Sequence, residues 1–353
     1  MTKRENLLRL LSRKGYDEVP FGLNLCPEQI EVYRQKTGGA VDYEAYFGLP
    51  LRDLPYTMPA DVSPERYAAY YPDLAKDTFL DWWGVGHRTT PDSVHDQMLH
   101  PLAMAEDEEE IENYPLPVFT EEGNGHIAEA AKALKSQGIA AVGNLQMTVW
   151  ETSWYIRGME NLMMDMASED PMADALLSRI EASAVARAEI YARAGADILF
   201  LGDDVGMQKT VMMSEALYCT WIKPRLARVI AAAKCINPDI LIFYHSCGYI
   251  EPFIPHLIEA GVEVLNPIQP ESMNFAHIHS LYGDKISFYG TIGTQTTLPF
   301  GSTAEVKEAV KKHLDIAGPA GGLLIAPTHV VEPDVPWENL LAFVEACREY
   351  KVQ

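Results

Sequence analysis

Short apolar runs alternate with amphipathic helical patterns along most of the chain. In stretches such as His126–Ser136 and Met172–Ala194, apolar residues recur at the spacing of one helix face. The runs between them are short and apolar throughout, which is typical of parallel strands that are buried on both faces. We predict seven such strands, at Val19–Leu25, Ala140–Leu145, Ile198–Leu201, Leu241–Tyr244, Val262–Leu265, Ile286–Tyr289 and Gly322–Ala326.

Strands that alternate with helices indicate parallel βαβ units. The simplest closure is a (β/α)8 TIM barrel with an N-terminal helical and loop extension, although an eighth strand is not evident from the pattern. Residues 1–120 would supply the first strand and a cap or insertion, and residues 121–353 the main barrel. Because no duplicated segment, glycine-rich linker or low-complexity tract divides the chain, we expect a single domain over residues 1–353.

Composition narrows the function classes. Of the 353 residues, 48% are hydrophobic and 22% are charged, which is the balance of a globular chain with a sizeable core. A formal net charge of -22 argues against binding of nucleic acid, whose phosphates require a basic surface. No run approaches the roughly 18 apolar residues of a membrane span, and the first residues begin an amphipathic helix rather than a signal peptide. We therefore expect a cytoplasmic protein with no membrane contact.

The five cysteines are odd in number and scattered, so we expect reduced thiols rather than a disulfide framework. Cys247 lies just beyond a predicted strand and two residues after His245. Residues two apart in a strand project to the same side. With His329, which follows the last predicted strand, they form a candidate zinc site of two nitrogens and one sulfur. Three protein ligands and one open position are typical of catalytic zinc.

Two adjacent carboxylates, Asp203 and Asp204, follow the run at Ile198–Leu201. Adjacent carboxylates in a confined barrel mouth repel, so the pKa of at least one should rise unless a cation or hydrogen-bond donors compensate. They are therefore candidate catalytic acid or base residues, or neighbours of a metal. The alternative is that one of them caps a helix through backbone amides, and the sequence does not decide which one.

Five phrases resemble the uroporphyrinogen decarboxylase superfamily, and within it the branch of zinc-dependent, corrinoid-linked methyltransferases. They are FLGDDVG (200–206), HSCG (245–248), GVEVLNPIQP (261–270), YGTIGTQ (289–295) and GGLLIAPTHVVEPDVPWEN (321–339). The resemblance implies a (β/α)8 barrel. In methyltransferases of this branch that act between a corrinoid protein and a thiol, zinc is held by His-x-Cys and a later Cys. Here the later position is occupied by His329, which departs from that pattern.

The resemblance leads to a hypothesis: a zinc-dependent methyltransferase that moves a methyl group between a small methylated substrate and the cobalt of a corrinoid carried by a partner protein. The aromatic residues nearby favour a methoxylated aromatic, hence O-demethylation. Polar side chains at the strand ends would position the substrate and aromatic side chains would form its walls. These substrate-binding candidates are Asn144, Gln146, Asn266 and Gln295, with Trp150, Trp154 and Tyr155 as the walls.

Alternatives remain open. The same site could methylate a thiol from a methylcorrinoid, or the chain could be a metal-free decarboxylase anchored by Asp203, or a non-catalytic binding barrel. The decarboxylases of the superfamily carry arginine in a phrase near the amino end, whereas Pro20–Pro27 reads PFGLNLCP. The loops of residues 38–120, with the acidic run Glu106–Glu110, are where we expect the corrinoid protein to dock. The sequence does not decide between a monomer and a homodimer.

Overall fold

The computed structural model describes residues 1–61, 63–89 and 97–351. The strands are β1 (Leu51–Asp53), β2 (Thr78–Leu80), β3 (Gly86–Arg88), β4 (Gln97–Leu99), β5 (Ala140–Gln146), β6 (Ile198–Gly202), β7 (Leu241–His245), β8 (Val264–Asn266), β9 (Ser287–Tyr289) and β10 (Leu323–Leu324). The α-helices are α1 (Lys3–Leu11), α2 (Pro27–Thr37), α3 (Tyr43–Phe47), α4 (Glu108–Asn113), α5 (His126–Ser136), α6 (Trp150–Arg157), α7 (Met159–Ser168), α8 (Pro171–Arg193), α9 (Glu215–Leu217), α10 (Lys223–Ile236), α11 (Ile254–Ala260), α12 (Phe275–Tyr282), α13 (Thr297–Phe300), α14 (Thr303–Ala317) and α15 (Trp337–Glu349).

A parallel sheet of seven strands organises the described residues, in the order β1-β5-β6-β7-β8-β9-β10. Its central strands are buried on both faces, which explains why they are apolar throughout: β6, for example, reads ILFLG. The register aligns the carboxyl ends of four neighbouring strands, because Gln146 pairs with Gly202, Gly202 with His245, and His245 with Asn266. One row of residues thus crosses the sheet at the edge where the strands end.

The sequence pattern located six of these seven strands within a few residues and missed β1. Leu51–Asp53 is only three residues long and reads Leu-Arg-Asp, with prolines at positions 50 and 55. It carries neither an apolar run nor a clear alternation. It nevertheless pairs with β5, from Leu51 beside Ala140 to Asp53 beside Val142. Residue pattern alone cannot identify a strand this short, because its partner rather than its own composition holds it in place.

Of the predicted barrel of eight strands, the structure shows a curled parallel sheet of seven. In the described residues the hydrogen-bonded sheet is open, with β1 and β10 at its edges. The predicted first strand, Val19–Leu25, forms isolated parallel bridges from Phe21 to Ile325 and from Leu25 to Val331, rather than a ladder. Pro20 has no N–H to donate, and α2 and α3 occupy the chain between this segment and β1. The fold is therefore an α/β fold with a curled parallel sheet.

Helix boundaries follow local capping chemistry. The Thr2 hydroxyl accepts a hydrogen bond from the Glu5 N–H, and Glu5 in turn accepts from the Thr2 N–H, so a capping box begins α1. Ser302 and Glu305 begin α14 in the same way. The helix predicted at His126–Ser136 has those bounds in the structure. None of the described helices has both the length and the apolar composition that a membrane crossing requires.

A small antiparallel sheet in the order β2-β3-β4 belongs to the segment between β1 and β5. The buried Arg157 of α6 ties this segment to the main sheet's helices. Its guanidinium pairs with Asp165 at 2.8 Å and also donates to the backbone carbonyls of Leu102 and Ala105. One side chain therefore joins α6, α7 and the chain that leads into α4.

Candidate functional site

The carboxyl end of β7 brings three ligand-type side chains together. His245 Nε2 lies 3.3 Å from Cys247 Sγ and 3.6 Å from Asp204 Oδ1. The ligand atoms of the three residues all lie within 4.8 Å of one another. Among the described residues, this is the group of His, Cys, Asp or Glu side chains with the spacing of metal ligands. We call it the Asp204-His245-Cys247 cluster. Its side chains are neither fully buried nor free in solvent, since each keeps a partly accessible surface.

Hydrogen bonds fix the tautomer of His245. The Asn266 side-chain amide donates through Nδ2 to the Tyr289 carbonyl at 2.8 Å, so its Oδ1 must be the atom that faces His245 Nδ1 at 2.6 Å. His245 Nδ1 therefore carries the proton and donates it, and Nε2 presents a lone pair toward Cys247 and Asp204. An orienting partner on the second ring nitrogen is what metal-binding histidines commonly have.

The loop after His245 is held by its own backbone. The Cys247 N–H donates to Asp204 Oδ1 at 2.7 Å, and the Gly248 N–H donates to Gln269 Oε1 at 2.5 Å. Gly248 has a φ of +80°, and a Cβ there would lie 2.6 Å from the Met207 carbonyl oxygen. Glycine is required at this position because a side chain would both strain the backbone and clash.

Burial and nearby charge set the protonation of the cluster. Desolvation, with the carboxylates of Asp204 and Glu151 nearby, raises the pKa of the Cys247 thiol to about 12. Burial lowers the pKa of His245 below its usual value, and His329 acts in the same direction, while Asp204 opposes the shift. Without a cation, the cluster therefore holds a neutral imidazole and a neutral thiol at neutral pH.

The two adjacent aspartates have different surroundings. The Asp203 carboxylate is 1% exposed and accepts hydrogen bonds from the N–H groups of Val149 and Glu151 at 2.9–3.2 Å, at the start of α6. The sequence left open which of the two aspartates caps a helix. In the structure Asp203 is the cap, and the helix that it caps, α6, precedes it in the chain. Burial raises the pKa of Asp203 to about 7. Asp204, in contrast, points to His245 and Cys247.

Glu151 is a further carboxyl group at the site, to which the sequence analysis gave no role. Its Oε2 accepts a hydrogen bond from the Asp204 N–H at 3.1 Å, and Tyr155 hydrogen-bonds to it. Burial, followed by the charges of Asp203 and Asp204, raises the pKa of Glu151 to about 8. Glu151 therefore holds a proton at neutral pH, directly beside a carboxylate of the cluster. Its position in the first turn of α6 gave no signal that could distinguish it from an ordinary helix-start acid.

A cavity of about 140 Å³, which we call the His245 cavity, opens beside the cluster. Its lining includes His245, Asn266 and His329, and also Gln146 from β5. His329 thus faces the same space as His245 but is not part of the three-residue cluster, in which Asp204 takes the third place. The lining of this cavity contains no arginine or lysine.

The remaining predicted substrate-binding residues are dispersed. Asn144 lies behind the His245 cavity, where its side-chain amide donates to Asp53 at 3.1 Å. Gln295 is exposed, and its backbone N–H donates to Glu271. The aromatic residues Trp150, Trp154 and Tyr155 lie on α6. They line neither the His245 cavity nor a neighbouring cavity of about 180 Å³ whose lining includes Asp53 and Asn144. The aromatic side chains that do line these cavities include Phe200 and Tyr289.

The cluster suits a zinc ion. Zinc bonds of about 2.0–2.3 Å in a tetrahedron imply ligand-to-ligand distances of about 3.3–3.8 Å, and the two measured distances from His245 Nε2 are 3.3 and 3.6 Å. Imidazole nitrogen, thiolate sulfur and carboxylate oxygen are the donor types that zinc takes in proteins. The fourth position would remain open, which is the arrangement of a catalytic site.

Comparisons with known proteins identify the family. The chain matches the model of the uroporphyrinogen decarboxylase (URO-D) family over residues 99–350. It belongs to that family, as the sequence phrases predicted. Its structure is similar to a methyltransferase from Methanosarcina mazei, with a TM-score of 0.72 and 18% identity over 99% of both chains. It also aligns with a 2,3-dimethylmalate lyase, with a TM-score of 0.38 and 12% identity over 99% of this chain and 83% of that one. A comparison with curated proteins found no match.

At these identities the structural likeness establishes the fold. The match to the methyltransferase covers both chains almost completely, so the α/β architecture, including the segment before residue 99, is common to the two.

Proposed function

We propose that this protein is a zinc-dependent methyltransferase that moves a methyl group between a small methylated substrate and the cobalt of a corrinoid on a partner protein. The observation that carries the proposal is the Asp204-His245-Cys247 cluster, in which His245 lies at tetrahedral zinc-ligand spacing from both Cys247 and Asp204, beside a cavity. The methyltransferase from Methanosarcina mazei with the same fold is consistent with it.

Four residues would form and orient the zinc site, and a fifth affects its charge. His245, Cys247 and Asp204 would hold zinc, with Asn266 keeping the His245 lone pair directed at it. When bound, zinc supplies Lewis-acid stabilisation of negative charge on the oxygen, nitrogen or sulfur that loses the methyl group. The cobalt of the corrinoid would accept the methyl group from the substrate, or would donate a methyl group in the opposite direction. Without a cation, the raised pKa of Glu151 keeps a proton beside Asp204, which limits the net negative charge of the site.

The volume of the His245 cavity limits the size of the substrate that it can hold. About 140 Å³ next to His245 admits a small molecule or the end of a larger one, and the amide of Gln146 is available there for hydrogen bonding. A large polycarboxylate would require cationic partners, and the lining has no arginine or lysine. A decarboxylase anchored on Asp203 has less support, because that carboxylate is buried and bonded to the start of α6.

The direction of transfer is a separate matter. The same cluster would bind a thiol acceptor as its thiolate and allow methylation from a methylcorrinoid, since zinc stabilises sulfur anions as it does oxygen anions.

We propose docking of the corrinoid protein on the loops of residues 38–120. The exposed carboxylates of Glu108, Glu109 and Glu110 at the start of α4 belong to this region.

The test is incubation of the zinc-loaded protein with cobalamin in the Co(I) state and a panel of methyl donors, followed by the absorbance of the cobalamin. We expect zinc-dependent loss of the Co(I) spectrum with at least one donor. Cys247→Ser should abolish it, whereas Cys235→Ser, which removes an exposed thiol remote from the cluster, should not. Equal transfer by the metal-free protein or by Cys247→Ser would contradict the proposal.

A further inference from the structure

A second cavity of about 180 Å³ lies behind the His245 cavity, inside the curled sheet. We call it the Asp53 cavity. The two cavities are neighbours, because Leu23, Asn24, Gln146, Phe200 and Tyr289 line both. A molecule that fills both would place one end beside His245 and the other beside Asp53.

The Asp53 cavity has an acidic lining, although Asp53 and Glu44 also line a neighbouring cavity with Lys3 and Arg52. Two carboxylates, Asp53 and Glu44, line it, while its lining contains no lysine, arginine or histidine. Glu44 pairs with Arg52, at 3.2 Å, outside the cavity. Among the described residues the Asp53 carboxylate is bonded by the Asn144 amide, at 3.1 Å, and forms no ion pair.

Asp53 is an exposed residue, although protein atoms lie close around its carboxyl group. Its pKa is raised by burial, which indicates that the surrounding protein atoms displace water. The residue nevertheless keeps an exposed surface. Both observations agree if the accessible surface of Asp53 is the surface that faces the cavity. A carboxylate in such a place is stabilised by a cation bound in the cavity.

Aromatic rings form another part of the lining. Phe200, Phe243 and Tyr289 have ring centroids 5.7–6.1 Å apart, with interplanar angles of 47–74°. The rings of Phe200 and Tyr289 are partly accessible, whereas Phe243 is 1% exposed. Tyr43 adds a fourth ring to the lining. Ring faces beside a carboxylate are the surroundings in which proteins bind organic ammonium ions, through cation–π attraction and charge pairing.

We propose that the Asp53 cavity binds the positively charged group of the substrate, a small organic ammonium ion, while the methylated heteroatom of the same substrate lies in the His245 cavity. This inference rests on the proposed function and specifies its substrate class. It replaces the methoxylated aromatic that the sequence favoured, since the aromatic residues invoked there line neither cavity.

An inorganic cation fits the Asp53 cavity less well. Magnesium and calcium require six or more oxygen ligands around them, whereas the apolar side chains of Leu23, Leu51, Val142 and Phe243 occupy much of this lining. A quaternary ammonium ion satisfies both parts of the lining, because its charge is spread over carbon-bound hydrogens that contact rings and carboxylate alike.

The experiment is calorimetric titration with choline and with its neutral isostere 3,3-dimethyl-1-butanol. We expect choline to bind at least tenfold more tightly than the alcohol, on the order expected for a desolvated cation–π and carboxylate site. Asp53→Asn should weaken choline binding by a similar factor and leave binding of the alcohol unchanged. Asp239→Asn makes the same change of charge at an exposed loop and should bind choline as the wild type does.

Phe200→Leu provides a second variant that leaves every carboxylate in place, and it should also weaken choline binding. Thermal unfolding of each variant confirms that it is folded before titration. Equal affinity for choline and the alcohol, or wild-type binding of choline by both Asp53→Asn and Phe200→Leu, would overturn the inference.

Zinc content and methyl transfer distinguish this failure from failure of the proposed function. Asp53 is not part of the Asp204-His245-Cys247 cluster, so Asp53→Asn should retain zinc. Zinc-dependent transfer from an uncharged methoxylated aromatic without any binding of choline would overturn the inference and leave the proposed function intact. Binding of choline that depends on Asp53, in a protein without zinc or methyl transfer, would support the cation site and contradict the proposed function.

Discussion

The backbone N–H of Cys247 donates a hydrogen bond of 2.7 Å to Oδ1 of Asp204. The residue that supplies the thiol therefore also positions the carboxylate beside it. Asp204 follows β6 and Cys247 follows β7, and these strands are neighbours in register. The three ligand-type side chains are thus placed by strand pairing and one loop hydrogen bond, whereas His329 lines the adjoining cavity and is not part of the cluster.

Asp204→Asn should lower zinc affinity by about 10- to 100-fold, because a neutral amide replaces a charged ligand next to Cys247. Competition with a chromophoric chelator measures the affinity. His329→Asn should retain zinc affinity within a few-fold, since His329 lines the cavity but is not part of the cluster. A larger loss of zinc affinity in His329→Asn than in Asp204→Asn would instead identify His329 as the third ligand.

Gly22→Ala should disturb both cavities. A Cβ at Gly22 would lie 2.6 Å from Cε2 of Tyr289, whose ring lines both cavities. We expect the Tyr289 ring to be displaced. Overpacking should lower the free energy of unfolding by about 1–3 kcal/mol. The affinity for choline should fall clearly as well. Gly123→Ala is the control, because nothing lies within 4 Å of its added Cβ. Urea unfolding and ligand titration of both variants measure the effects, and an unchanged Gly22→Ala would contradict the packing described.

Arg157→Leu should destabilise the protein by about 3–5 kcal/mol, because the buried Asp165 carboxylate and the Leu102 and Ala105 carbonyls would lose their partner. Arg193→Leu, at an exposed ion pair with Glu121 and Glu189, should cost less than about 1 kcal/mol. Denaturant unfolding of the two variants compares the costs. Similar losses for both would show that the buried network does not hold the segment before α4.

His313 should make stability depend on pH. Burial lowers its pKa from 6.5 to about 4, with Lys312 as a smaller cause; its ring hydrogen-bonds to Thr291 and packs 5.2 Å from the Phe275 ring. Between pH 6.5 and 4 the unfolded chain binds this proton more readily than the folded one. Stability therefore falls as pH decreases through that window, by up to about 3 kcal/mol, and is unaffected by this group above it.

The matching measurement is urea unfolding of wild type and His313→Gln at pH 7 and pH 5, with a chelator present throughout. Other titrating groups are common to both proteins and cancel in the comparison. The wild type should lose about 2 kcal/mol more than the variant between these pH values. The same loss in both would show that His313 does not resist protonation.

Sequence pattern predicted the elements whose composition carries a signal. The apolar runs at β5–β10 are buried on both faces, and the α5 pattern gave the helix bounds directly. It failed where tertiary partners decide. Leu51–Asp53 became a strand because β5 pairs with it, and Val19–Leu25 formed bridges rather than a ladder although it resembles a strand.

The site was predictable to the same extent. His245 and Cys247 were identified because a strand aims residues two apart at the same side. Their third partner depended on how the neighbouring strand and the following loop align, which favours Asp204 over His329. The division of roles between Asp203 and Asp204, the proton on Glu151, and the Asp53 cavity all follow from packing between distant segments. No spacing in the sequence encodes them.

Zinc content of the purified protein, measured together with Cys247→Ala and the control Cys235→Ala, tests the central claim most directly. After exposure to zinc and removal of excess metal, wild type and Cys235→Ala should retain one zinc per chain, and Cys247→Ala should retain much less. Full zinc content in Cys247→Ala, or none in the wild type, would contradict the account.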